Sequence, residues 1–193
     1  MDILLQIWGG SFYLVNKILF AFAEGKTEKS KRKLQFYGWA IYILGVPAWV
    51  ILLLDGHNWI AASIEAGGVP SMLLGIYTAY YNTGSPNRIL DKTAAFFTYG
   101  SITLGVSYSL FDYGGLTAFS QFLEVGAMTG FLLGSYLLAK NRRKGWLFFM
   151  LMNGSMATLM LIQNKPLLAI QQTVSLCFVI YGFMASRKVK ALH

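Results

Sequence analysis

Three ionisable side chains fall inside long apolar runs: Lys17, Glu65 and Glu124. On insertion scales a charge at the centre of a membrane helix costs about 2.5–3.5 kcal/mol, so each needs a cavity, a partner or a route to the interface. Lys17 can snorkel or reach toward Glu65, and Glu65 suits either an interhelical hydrogen bond or a substrate contact. Amides and hydroxyls gather in the same runs: Gln6, Ser11 and Asn16, then Gln121 and Thr129, then Asn153, Ser155 and Thr158, then Gln171, Gln172, Thr173 and Ser175. Facing lipid they would be unsatisfied, so they are predicted to point inward and form a polar lining. Such a lining binds a neutral, hydrogen-bonding solute. Trp39 and Trp146 are either interfacial belt residues or walls of that cavity, and Trp59 is a belt residue.

Reaction chemistry is harder to find. The chain has no GxSxG, HExxH or Walker pattern, and neither His57 nor His193 has neighbours of metal-ligating type. Cys177 stands alone in an apolar stretch, which excludes a disulfide framework and fits a small packed hydrophobe. The expectation is therefore a protein that is not an enzyme and uses no cofactor or metal.

The elements that must position these groups are membrane helices. With 55% hydrophobic and 12% charged residues, the chain cannot clothe a soluble surface. About 20 apolar residues cross a hydrocarbon core, so 193 residues leave no room for a separate soluble domain. Charge and turn clusters divide the sequence into seven predicted helices at 3–23, 36–54, 58–81, 93–111, 116–139, 145–163 and 166–186. The first is read as a retained helix rather than a signal peptide, because Asp2 precedes it and Gly9-Gly10, Asn16 and Lys17 interrupt it.

The connections alternate between basic and non-basic. Those at 25–33, 82–92 and 140–144, together with the tail, carry 14 of the 16 lysines and arginines. Basic loops resist translocation, so this face is predicted to be cytoplasmic, with the amino terminus outside and the carboxyl terminus inside. The net charge of +8 is thus a topology signal and predicts no nucleic-acid partner.

An offset of 107 residues brings Gly38-Trp39 onto Gly145-Trp146, Leu44 onto Leu151, Ala62 onto Ala169 and Gly75 onto Gly182 without a gap. Glu65 falls on Gln172, and Gln6 matches Gln121 once a longer loop is allowed. The expected architecture is all-α integral membrane: two parallel three-helix repeats, residues 1–81 and 116–193, joined by a linker helix within 82–115. Pro47 and the Gly67-Gly68-x-Pro70 break mark hinge positions, whereas Gly126, Gly130 and Gly134 form a small-residue stripe read as bundle packing.

The segment Gly134-Ser-Tyr-Leu-Leu-Ala-Lys140, followed by Arg142-Arg143-Lys144-Gly-Trp146, Asn153, a two-residue turn and Gly182 before a basic tail, resembles the carboxyl-terminal half of the bacterial nicotinamide riboside (Pnu-type) vitamin transporters. The likeness spans residues 116–190. It implies a seven-helix plan similar to the SWEET sugar transporters, facilitated diffusion through a midline site, and roles in solute binding for Trp146 and Asn153. Phe149 stands where the family has a second tryptophan, and Gln171-Gln172-Thr173 replaces a tyrosine-rich stretch.

The combined expectation is a multi-pass transporter of a bacterial inner membrane that takes up a vitamin- or nucleoside-like solute by alternating access. Asn153, Gln172, Trp146, Glu65, Gln121, Glu124 and Trp39 are the expected substrate contacts. The partners are a small solute and the lipid bilayer, and self-association is compatible with the sequence. The alternatives are a SWEET-type sugar transporter and a non-transporting scaffold whose glycine stripe binds a partner helix.

Overall fold

The computed structural model describes residues 2–55, 59–81, 87–112 and 118–190. His57, His193, residues 82–86 and 113–115 of the predicted loops, and residues 116–117 lie outside the described residues, as does the side chain of Trp59. The described chain forms helices α1 (Asp2–Ala23), α2 (Glu28–Asp55), α3 (Trp59–Gly67), α4 (Val69–Tyr81), α5 (Arg88–Asp112), α6 (Phe119–Ala139), α7 (Lys144–Ile162) and α8 (Pro166–Lys190), with no strand among the described residues.

Five of these helices, α1, α2, α6, α7 and α8, are long and apolar enough to cross a membrane. The predicted third span is two short helices, of 9 and 13 residues, broken at Gly68. Gly68 N–H donates to Glu65 O at 3.2 Å and its carbonyl accepts from Ser71 and Met72, so one helix closes and the next begins on the same residue. A Cβ at Gly68 would overlap the ring of Phe131 from α6, so a larger residue there requires that ring to shift.

Several ends are fixed by local chemistry. Asn141 and Asn164 both adopt positive φ, of 53° and 54°, immediately after α6 and α7. In each turn the following N–H reaches five residues back, Arg142 to Leu137 O and Lys165 to Met160 O, both at 2.8 Å, while the asparagine N–H reaches three residues back. These are paired Schellman closures in which asparagine takes the left-handed position. Pro166 opens α8, where its missing N–H costs nothing. Asn87 caps α5, its Oδ1 accepting from Ile89 and Leu90 N–H.

One helix runs further than its apolar stretch predicts. The basic segment Lys29–Lys33, expected as loop, belongs to α2, because lysine, arginine and glutamate are good helix formers and Glu28 favours the first turn. The extension carries Arg32 to the end of α4, where it donates to Ala79 O at 3.1 Å and Tyr80 O at 2.7 Å.

Six helices close into a ring in the order α1, α2, α4, α6, α7, α8 and back to α1, each packed on the next. The short α3 packs on α2 and α5, and α5 packs against α3, α4 and α6. The interior of the ring is filled with side chains: Tyr42 of α2, Phe131 of α6 and Phe149 of α7 meet edge to face across it, at centroid distances of 6.1 Å and 6.5 Å from Tyr42. At one end, Arg32, Gln35, Asp91, Lys140 and Asn141 tie the helix ends together, so the basic connections around α2, α5, α6 and α7 share that end.

Candidate functional site

Lys17 projects from α1 into the filled centre and is 1% exposed. Its ammonium lies 3.7 Å from the centroid of the Phe149 ring and 4.1 Å from that of Tyr42, and donates to Asn16 Oδ1 at 3.0 Å. Asn16, itself fully buried, donates through Nδ2 to Gly38 O at 2.9 Å, anchoring the pair to α2. Desolvated cation–π contacts are worth about 2 kcal/mol each, comparable with the cost of carrying a lysine into the hydrocarbon. Lys17 therefore neither snorkels nor pairs with Glu65: among the described residues no carboxylate lies within 4.0 Å of it.

Unpartnered polar atoms recur on residues of the same core cluster. Tyr13, one turn along α1, meets Tyr42 edge-on at 4.7 Å, and its hydroxyl has no hydrogen-bond partner. The Tyr42 hydroxyl points toward Ser135, yet neither oxygen makes a hydrogen bond of good geometry. The indole N–H of Trp146, one turn along α7 from Phe149, is likewise buried and unpartnered.

Trp39 and Trp146 are 2% and 1% exposed, which makes them interior residues and not belt residues. Trp39 lies against Gly75 of α4, and Trp146 against Gly182 of α8. A Cβ at Gly75 would overlap the Trp39 indole, and one at Gly182 would come within 2.5 Å of Trp146. Trp39 also stacks on Tyr42 at 6.1 Å and meets Phe20 at 4.6 Å, so it belongs to the wall of the central cluster.

The other expected contacts are distributed differently. Asn153 is 1% exposed and one turn beyond Phe149, with its Nδ2 donating to Phe149 O at 2.7 Å. Gln172 is buried on α8, while its neighbour Gln171 donates to Gly10 O at 2.7 Å and ties α8 to α1. Glu65 is partly buried on α3 with Oε1 unpartnered; α3 and α8 do not touch, so no direct contact joins it to Gln172. Gln121 is the turn-closing residue of α6, its Oε1 accepting from Ala118 N–H at 2.9 Å and its amide reaching Ser109 O. Glu124 lies on an exposed face of α6.

Tyr42 and Phe149 were not among the residues singled out by polarity. Their signal is positional: they stand 107 residues apart, the same offset that relates the two tryptophans. The glycine stripe is consumed within the bundle. Gly126 faces Ser155, Gly130 faces the Met152 and Phe148 backbone, and Gly134 faces Phe149, all on α7.

No family model matches the chain, and neither a curated protein nor a solved structure does. The class that fold and composition define is a protein that is all-helical over the described residues, with several helices long and apolar enough to cross a membrane.

Proposed function

We propose that the chain is a seven-span facilitator for a small polar, vitamin- or nucleoside-like solute in a bacterial inner membrane, built as two parallel three-helix bundles around a linker helix. The observation that carries this reading is the paired arrangement of the ring. Trp39 against Gly75 in one half corresponds to Trp146 against Gly182 in the other. Junctions correspond as well: α4 on α6 closes one side of the ring and α8 on α1 the other. On this reading α3 and α4 form the third span, α5 is the linker, and a pseudo-twofold axis runs through the centre between Tyr42 and Phe149.

Two bundles so related can rock about a shared axis and expose it to either side in turn, which is how parallel-repeat transporters work. The break at Gly68 and the proline at position 47 supply hinges within the first bundle. The resemblance of residues 116–190 to nicotinamide riboside transporters suggests the solute class, and the amino-terminus-outside orientation follows from the basic loops.

The test is uptake by proteoliposomes loaded with purified protein, offered vitamins, nucleosides and sugars. Asn153→Ala and Gln172→Ala are expected to abolish uptake without lowering the yield of folded protein. Unchanged uptake in both variants would remove these two residues from the site, and no uptake of any solute would remove the transporter reading.

A further inference from the structure

We infer that the solute is acidic, and that Lys17 is the residue that receives its carboxylate or phosphate. This rests on the transporter reading above and narrows it to a class of cargo. Among the described residues the Lys17 amine has an amide and two ring faces for partners. An amide oxygen and aromatic faces carry no formal charge, so Lys17 has no counter-ion among the described residues.

The surroundings repeat that imbalance. Around the Tyr42 ring that Lys17 touches, the Tyr13 hydroxyl is buried without a hydrogen-bond partner, and the Tyr42 and Ser135 hydroxyls have only each other. Buried polar groups in folded proteins are ordinarily satisfied, so hydroxyls with unused hydrogen-bonding capacity beside a lysine with no counter-ion suit a ligand that brings an oxyanion. Glu65 does not fill the need, because it stands on α3, which does not pack against α1 among the described residues.

Position adds the second argument. Tyr42 and Phe149 come from opposite halves of the ring, and the ammonium touches both. An oxyanion held there would bridge the halves at the point where rocking parts them. The centre is packed in this structure, so the site opens only when the halves separate.

The experiment uses full-length protein in proteoliposomes and in detergent, with matched acid and neutral probes: nicotinate against nicotinamide, pantothenate against pantothenol, AMP against adenosine, gluconate against glucose. Uptake and thermal stabilisation are read for each, since a ligand that binds the native state raises its midpoint. The expected result is that at least one acid is taken up and stabilises the wild type while its neutral partner does neither. Lys17→Met then weakens that acid by about tenfold or more, the range of a charge-assisted hydrogen bond, and Lys17→Arg keeps part of it. Neutral probes taken up as well as their acids would overturn the inference and leave the transporter reading intact. Uptake of no probe in either set would overturn both. The acid-against-neutral comparison is made on the wild type, so it decides the matter even where Lys17→Met does not fold.

Discussion

The six-membered ring of Trp146 abuts Gly182, with three ring carbons within 2.8 Å of where a Cβ would sit, and the indole itself is almost wholly buried. A side chain at residue 182 must therefore displace either the ring or α8. Overpacking of this kind costs about 1–3 kcal/mol. Gly182→Ala is expected to lower the thermal midpoint in detergent, and Gly75→Ala, opposite Trp39, to do the same. Combining Gly182→Ala with Trp146→Phe should return part of the loss, because the smaller ring vacates the space. Equal stability of Gly182→Ala and wild type would show that the contact is loose.

Lys17 separates stability from function. Replacing a buried ion by an apolar side chain of similar volume is often neutral or stabilising by about 1–4 kcal/mol. Lys17→Met is thus expected to unfold at the same or a higher temperature than wild type while losing uptake. Phe149→Leu should destabilise the wild type more than it destabilises Lys17→Met, since the ring contact with the ammonium at 3.7 Å is absent in the second background. A double-mutant cycle in urea or heat measures the difference.

Where α5 begins, Asp91 accepts from Lys140 at 2.9 Å and from the Tyr136 hydroxyl at 2.8 Å. Burial pushes the Asp91 carboxyl up, but these hydrogen bonds and the charges of Lys140 and Arg142 outweigh it and hold its pKa below the ordinary value. Burial likewise lowers Lys140, and its bonds to Asp91 and Tyr136 raise it by more. A lowered carboxylate pKa stabilises the fold above its unfolded value, about 3.9, and that gain is lost as pH falls through the lower folded value. A raised lysine stabilises below about 10.4 and loses the gain as pH climbs through the higher folded value. The pair is therefore fully effective between those limits. Because both side chains are partly exposed, Asp91→Asn is expected to cost about 0.5–1 kcal/mol at neutral pH and to flatten the acid limb of a midpoint-against-pH plot.

Much of the scaffold was legible because hydrophobic runs and charged breaks are long-range signals. The glycine pair at 67–68 marked where the third apolar segment divides, and the 107-residue offset related Trp39 to Trp146 before their surroundings were known. The same offset applied to Tyr42 gives Phe149, so the central aromatic pair could have been found from spacing. What periodicity could not supply was which helix each face of α1 meets. The partners of Lys17 come from α2 and α7, far apart in sequence, and only closure of the ring brings them to one ammonium. Gln121 has a local role that its polarity alone did not reveal: its Oε1 accepts from Ala118 N–H at the first turn of its own helix. The helical reach of Lys29–Lys33 was hidden because charged residues set a loop signal in a membrane sequence and a helix signal in water.

Orientation is open to a direct labelling test, since the basic connections share one end of the ring. In a Cys177→Ser background, a cysteine at exposed Lys29 should react in intact cells only with reagents that cross the membrane, as positively charged loops are retained in the cytoplasm. A cysteine at Asp55, exposed at the far end of α2, should react with impermeant maleimide from outside. α2 is 28 residues long, about 42 Å of helix at 1.5 Å per residue, which is enough to carry its two ends beyond opposite faces of a hydrocarbon core of about 30 Å. Labelling of both positions from the same side would mean that α2 does not cross, and reversed labelling would mean that the basic end faces outward.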